Sequence, residues 1–300
     1  MTSVFSRACG HSTDLSPAPA PFTPDLAPAY GRCYAAMSTH PICYSPANLW
    51  AWAGTLQVDI RLAAGLAWLR YRQSDGLHAT APVGDWAAAD WRALEPELLG
   101  TGRFDSVTED LLAIWRQQLS CRIEVTECRD AWEYLCHAAD LAEYPGTAFR
   151  RQRRQVRLYV RECGEPDLRP LEPGDSAAML ALSRRWLAGR ADRPDSGGEV
   201  DRGTEVEALG RLLAHWTAFG LTGMGLRLNG ELAAFSLGAR LDARTMGILY
   251  QKADPGIPGA SQVILQAFAR SAAKICPVLN LAEDLGLEGL RFFKTGLRPF

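Results

Sequence analysis

MGILYQKADPGIPGASQVILQAFARSAAK (Met246–Lys274), followed by VLNLAEDLGLEGLRFFKTGLRPF (Val278–Phe300), sets out a strand, a helix, a second strand and a closing helix. Met246 to Ala253 is a short apolar run stopped by Asp254-Pro-Gly, the pattern of a strand entering a turn. From Ser261, a candidate N-cap, apolar side chains at Val263, Ile264, Ala267, Phe268 and Ala272 recur at helical spacing, with Lys274 near the C-terminal end. The glycine-bearing loop up to Gly259 therefore feeds a helix N-terminus, where free N–H groups favour an anion or a developing oxyanion. Val278 to Leu281 is a second strand, and LRFFK after Gly286 and Gly289 is helix-like. Two strands joined by one helical crossover pair in parallel and end side by side. That predicts one pocket for Lys252, Asp254, Asn280, Glu283 and Asp284. Taken singly, each of these polar residues is more simply a solvated surface group.

Working outward, Asp75-Gly76 and Asn229-Gly230 are hairpin dipeptides, each between strand-like runs. Each hairpin follows a helix-like segment, SPANLWAWAGTL or EVEALGRLLAHWTAFG, and further strand and helix signals come after, among them CRIEVTEC. The repeated order predicts two copies of one α/β (α+β type) unit. Each is a mixed sheet flanked by helices. The expected boundary is CGEPDLRPLEPGD, rich in proline and glycine, so that residues 30–165 form the first domain and 166–300 the second. Residues 1–29 read as a disordered Pro/Ala-rich tail without the apolar core of a signal peptide.

The 300 residues, 47% of them apolar, suffice for a large core. A net charge of −2 predicts no general affinity for polyanions, so any such partner must meet a local patch. FRRQRRQVRLYVR supplies one: Arg150, Arg151, Arg153, Arg154, Arg157 and Arg161. It reads either as a solvated helix leading into a strand or as a phosphate-binding surface suited to transfer RNA. The eight cysteines contain no Cys-x-x-Cys pair, which argues against a zinc site and fits reduced thiols in a cytoplasmic protein. No apolar run is long enough to span a bilayer. No cofactor motif and no Ser/His/Asp arrangement is evident.

QKAD (Gln251–Asp254), NLAEDLGLEGLRFFK (Asn280–Lys294) and Pro299 resemble the closing signature of a bacterial family related to the C-terminal catalytic domain of phosphatidylglycerol lysyltransferase. The resemblance extends to DLAEYPGTAFRRQRRQVRLY, through Asp140, Leu141, Gly146, Phe149, Arg153, Val156 and Tyr159, and to Ser45, Asn48, Leu49 and Trp52 upstream. It covers most of the chain from about residue 30. Gln251 stands where that family has glutamate, Ala282 where arginine is common, and Arg154 and Arg157 where asparagines are usual.

The resemblance implies tandem GNAT-like domains and transfer of an aminoacyl group from aminoacyl-tRNA to a hydroxyl or amine acceptor, either a small molecule or a phosphatidylglycerol-like lipid met by peripheral membrane contact. It places the chemistry on Asp284 or Glu283 as the proton-accepting or amine-holding carboxylate, with Asp254 as a second candidate. Lys252, Arg291 and Lys294 would steady negative charge or hold phosphate. Asn280, Gln251, Tyr250 and Gly259 would line the substrate site, and Arg150, Arg153, Arg154 and Arg157 would hold the tRNA. Two rivals remain. One is an acyl-CoA-dependent N-acyltransferase, although Asp254-Pro-Gly-Ile-Pro-Gly-Ala carries an acid and two prolines where GNAT pyrophosphate loops offer amide donors. The other is a non-catalytic RNA- or protein-binding module.

Overall fold

The computed structural model describes residues 2–5, 18–73, 75–189 and 202–300, with the side chains of 2–5 and Arg202 outside that description. The chain divides into two compact units, Met1–Trp132 and Glu133–Phe300.

The first unit begins with β1 (Thr2–Phe5), β2 (Ala20–Pro21), α1 (Ala27–Ala35) and α2 (Pro46–Ala53). It continues through β3 (Asp59–Ala63), β4 (Leu66–Gln73), β5 (Gly76–Ala79), β6 (Val83–Gly84), α3 (Trp91–Thr101), β7 (Arg103–Val107), α4 (Glu109–Gln118) and β8 (Glu124–Glu127). The expected helix at SPANLWAW is α2, and its N-cap Ser45 accepts the Asn48 N–H at 3.2 Å. The hairpin expected at Asp75-Gly76 joins β4 to β5 within the sheet β2-β3-β4-β5. Trp86, Trp91 and Trp115 are buried in this unit, with Trp91 and Trp115 meeting edge to face. The expected N-terminal tail is partly inside the fold. β1 pairs with β7 and β8, β2 pairs with β3, and Phe22 is buried. Residues 6–17, Cys9 among them, lie outside the described residues.

The second unit contains β9 (Leu135–His137), α5 (Ala138–Glu143), α6 (Arg150–Cys163), β10 (Asp167–Pro170), α7 (Ser176–Ala188) and α8 (Arg202–Leu213). It closes with β11 (Thr222–Leu228), β12 (Glu231–Arg240), β13 (Thr245–Ala253), α9 (Ala260–Ala272), β14 (Val278–Asn280) and α10 (Glu288–Thr295). Its six strands run β10-β11-β12-β13-β14-β9, antiparallel except for the parallel β13–β14 pair that α9 connects. Asn229 and Gly230 both take positive φ, 53° and 83°, which gives the β11–β12 hairpin the backbone twist its strands need.

The boundary differs from the one the proline- and glycine-rich segment suggested. Asp167–Pro170 is a strand of the second sheet, and residues 133–163 belong to that unit. β9 pairs with β14, and α5 and α6 lay Leu141, Ala142, Val156 and Tyr159 against α9. Burial of these side chains outweighs the local turn signals of the linker-like sequence. The arginine-rich segment is helical to Cys163 and leads, after a short turn, into β10.

Candidate functional site

β13 carries one extra residue, Leu249. Leu237 of β12 opposes Tyr250, whereas Gly238 opposes Ile248. Such a bulge reverses the alternation of side chains beyond it. Met246 and Ile248 pack with α9, and beyond the bulge Gln251 and Ala253 take over that face. Tyr250 and Lys252 consequently turn to the other face of the sheet, under α7 and α8. β14 stops at Asn280 and meets β13 only at Thr245, Met246 and Gly247, so among the described residues Ile248–Ala253 have β12 on one edge and no strand on the other. The pairing of β13 with β14 thus ends at Gly247 and Asn280.

At the end of β14 the chain turns sharply, and Ala282 and Leu285 both hold positive φ (58° and 53°). Left-handed backbone at two non-glycine residues is strained, and such strain concentrates at functional sites. Side chains hold it in place. Asn280 Oδ1 accepts the Ala282 N–H at 2.9 Å, and Asn280 Nδ2 donates to Glu133 Oε2 at 2.5 Å. Asp284, whose side chain is wholly buried, accepts two bonds from Arg291, Nε to Oδ2 and Nη2 to Oδ1, both 2.9 Å. It also accepts the Tyr134 hydroxyl at 2.5 Å and the Gly286 N–H at 2.9 Å. Burial would raise this carboxyl, but the bonds from Arg291, Tyr134 and Gly286 overcome it and hold Asp284 well below the usual carboxylate range. The buried Lys294 donates to the Glu283 carbonyl at 2.5 Å, with its ammonium 5.8 Å from the centre of the Tyr134 ring. Burial lowers Lys294 to about 8, against the opposing pull of Glu283, Asp284 and Glu133. Glu283 itself is half-buried.

The structure therefore brings together Asn280, Glu283, Asp284, Arg291 and Lys294, and places the other expected site residues elsewhere. Lys252 is paired with Glu205 at 2.7 Å and lies 3.8 Å from the centre of the Trp186 ring. Tyr250 is buried near Glu205, its hydroxyl without a hydrogen-bond partner among the described residues, and burial first and Glu205 second push it far above its ordinary range. Gln251 bridges Ser236 and Ser261, and Asp254 caps its own turn through the Gly256 N–H. Gly259, with φ 79°, lies against α6, and a Cβ there would sit 2.1 Å from the Gln155 carbonyl oxygen. α6 thus packs against the start of α9 at Gly259, while Ser261 and Gln262 in the first turn of α9 stay partly exposed. Tyr134, Glu133, Glu205 and Trp186 were missed. Tyr134 is separated from Asp284 by 150 residues, so no local pattern links the two.

On α6, Arg153 donates to the Tyr144 carbonyl and Arg161 pairs with Glu162. Arg150, Arg154 and Arg157 are exposed and, at intervals of four and three residues, lie along one stripe of the helix. None of the three has an ion-pair partner among the described residues.

A mixed sheet with a bulged strand, a parallel neighbour that diverges from it and a helical crossover between the two define a GNAT-like acyltransferase fold. Residues 35–299 match the model of the family described as phosphatidylglycerol lysyltransferase, C-terminal, and the chain belongs to that family. A conserved protein of unknown function from Bacteroides thetaiotaomicron superposes with a TM-score of 0.82 at 24% identity, over 94% of this chain and 95% of its own. The C-terminal domain of a lysylphosphatidylglycerol synthetase from Agrobacterium fabrum gives 0.62 at 14% identity, over 93% and 89%. A tandem GNAT protein from the clavulanic acid biosynthesis pathway gives 0.50 at 8% identity, over 96% of each chain. These likenesses establish a tandem GNAT-like fold. No curated protein matches the chain in sequence. Among the described residues, no helix is long and apolar enough to cross a membrane.

Proposed function

We propose that the protein transfers an aminoacyl group from aminoacyl-tRNA to a hydroxyl or amine acceptor, a small molecule or a phosphatidylglycerol-like lipid, at the turn that follows β14. The observation that carries this reading is the family match over residues 35–299, whose closing segment holds a buried Lys294, lowered to about 8, near the Asp284–Arg291 ion pair. The Lys294 ammonium loses a proton readily enough for general base work near neutrality. An aminoacyl ester is already activated, so the enzyme must align the acceptor, remove its proton and steady the oxyanion. Lys294 in its neutral form takes the proton of the attacking O–H or N–H. The carbonyl carbon gains the bond to the acceptor and loses the ribose oxygen, which leaves carrying the proton from Lys294.

Asp284 accepts four hydrogen bonds and is thereby a positioning group for Arg291 and Tyr134 rather than a base. The Glu283 carboxylate suits an amine, and the Arg150, Arg154 and Arg157 stripe suits RNA phosphates. Family membership supports the reaction class. The α6 backbone packed against Gly259 leaves less room for a CoA pyrophosphate at this loop. The test is incubation with a mixture of charged tRNAs and candidate acceptors, then mass spectrometry for the conjugate. Conjugate formation that Asp284→Asn and Arg291→Ala abolish, with circular dichroism unchanged, is expected. Turnover with an acyl-CoA but with no charged tRNA overturns the proposal.

A further inference from the structure

Phe292 is 61% exposed on α10, whereas its neighbour Phe293 packs into the core. One face of its ring is covered by the Arg151 guanidinium, 4.4 Å from the ring centre. α6 meets α10 near the C-terminal end of α10, where the Gln152 side-chain amide donates to the Gly296 carbonyl at 2.7 Å. The ring thus stands between two features. On α6, Arg150, Arg154 and Arg157 extend over about 10 Å of helix. On α10, the residue just before Phe292 is Arg291, which grips Asp284.

An exposed aromatic ring beside clustered arginines is how proteins hold single-stranded nucleic acid, the base on the ring and the phosphates on the cations. All six basic residues of α6 are arginines, whose planar heads stack on rings and fork onto phosphates as lysine cannot. We propose that Phe292, braced by Arg151, is the platform on which a base of the unpaired 3′ end of the donor tRNA stacks, with Arg150, Arg154 and Arg157 on the adjoining phosphates. The platform rests on the aminoacyl-tRNA reading above. It leads the end of the RNA to the turn that holds Asp284, where the ester must arrive.

The test is fluorescence anisotropy with end-labelled, uncharged bacterial tRNA, either intact or trimmed of its single-stranded 3′ end. Phe292→Ala is expected to weaken the intact RNA by about 5- to 150-fold and to leave the trimmed RNA unchanged. Phe292→Trp should bind as the native protein does. Arg154→Ala should weaken the intact RNA and flatten its salt dependence by about one phosphate contact. Intact tRNA bound equally by Phe292→Ala and the native protein overturns the platform alone. A native protein that binds no tRNA overturns the platform together with the donor. Unchanged tRNA binding by Phe292→Ala with weaker partition onto phosphatidylglycerol vesicles makes the ring a lipid contact instead.

Discussion

Lys294 has the most measurable consequence. Its ordinary value is 10.5, and burial brings it to about 8. At about 1.4 kcal/mol per tenfold change in proton affinity, this corresponds to roughly 3 kcal/mol. The sign follows from which state keeps its proton. Below pH 8 both the folded and the unfolded chain carry the ammonium, and the folded state bears the full cost of burying it. Between pH 8 and 10.5 the folded chain gives the proton up while the unfolded chain retains it, so stability rises with pH across this window. Lys294→Met keeps the approximate volume and removes the titration. The native protein should therefore gain up to about 3 kcal/mol over the variant between pH 7.5 and 10.5, measured by urea unfolding followed at the tryptophans. The chain contains three lysines, Lys252, Lys274 and Lys294. A protein labelled with carbon-13 at lysine Cε thus gives three resonances, and the one missing from Lys294→Met identifies the group. A midpoint at 10 or above for that resonance, or a pH-independent stability difference, would refute the argument and remove Lys294 as the base.

Tyr134→Phe takes away a hydroxyl that donates to a buried carboxylate and should cost about 1.5–3 kcal/mol in urea unfolding. Gly259→Ala forces a side chain at φ 79° against the Gln155 carbonyl. The backbone penalty of about 1–2 kcal/mol and the overpacking of about 1–3 kcal/mol should together lower the melting temperature by several degrees in a thermal scan. Tyr250→Phe removes a buried hydroxyl with no partner among the described residues, so its melting temperature should equal or exceed that of the native protein.

The sequence by itself determined the elements around the site. The crossover from β13 through α9 to β14, the hairpin turns at Asp75-Gly76 and Asn229-Gly230, and the Ser45 cap are all local, because turn chemistry and apolar spacing act over a few residues. The closeness of Asn280, Glu283 and Asp284 was legible for the same reason, since they lie within five residues at the end of one strand, whereas Arg291 and Lys294 entered through the family resemblance. Only the tertiary structure decided the rest. The bulge at Leu249 arises from pairing with β12, and it sends Lys252 away from the Asp284 group, which strict alternation cannot foresee. The burial that lowers Lys294 comes from packing that includes Tyr134, which no periodicity connects to it. The unit boundary moved to Trp132–Glu133 because β9, α5 and α6 bury their apolar faces on β14 and α9. Burial against distant parts of the chain is a sum over many contacts, and it outweighs the short proline- and glycine-rich signal that had marked a linker.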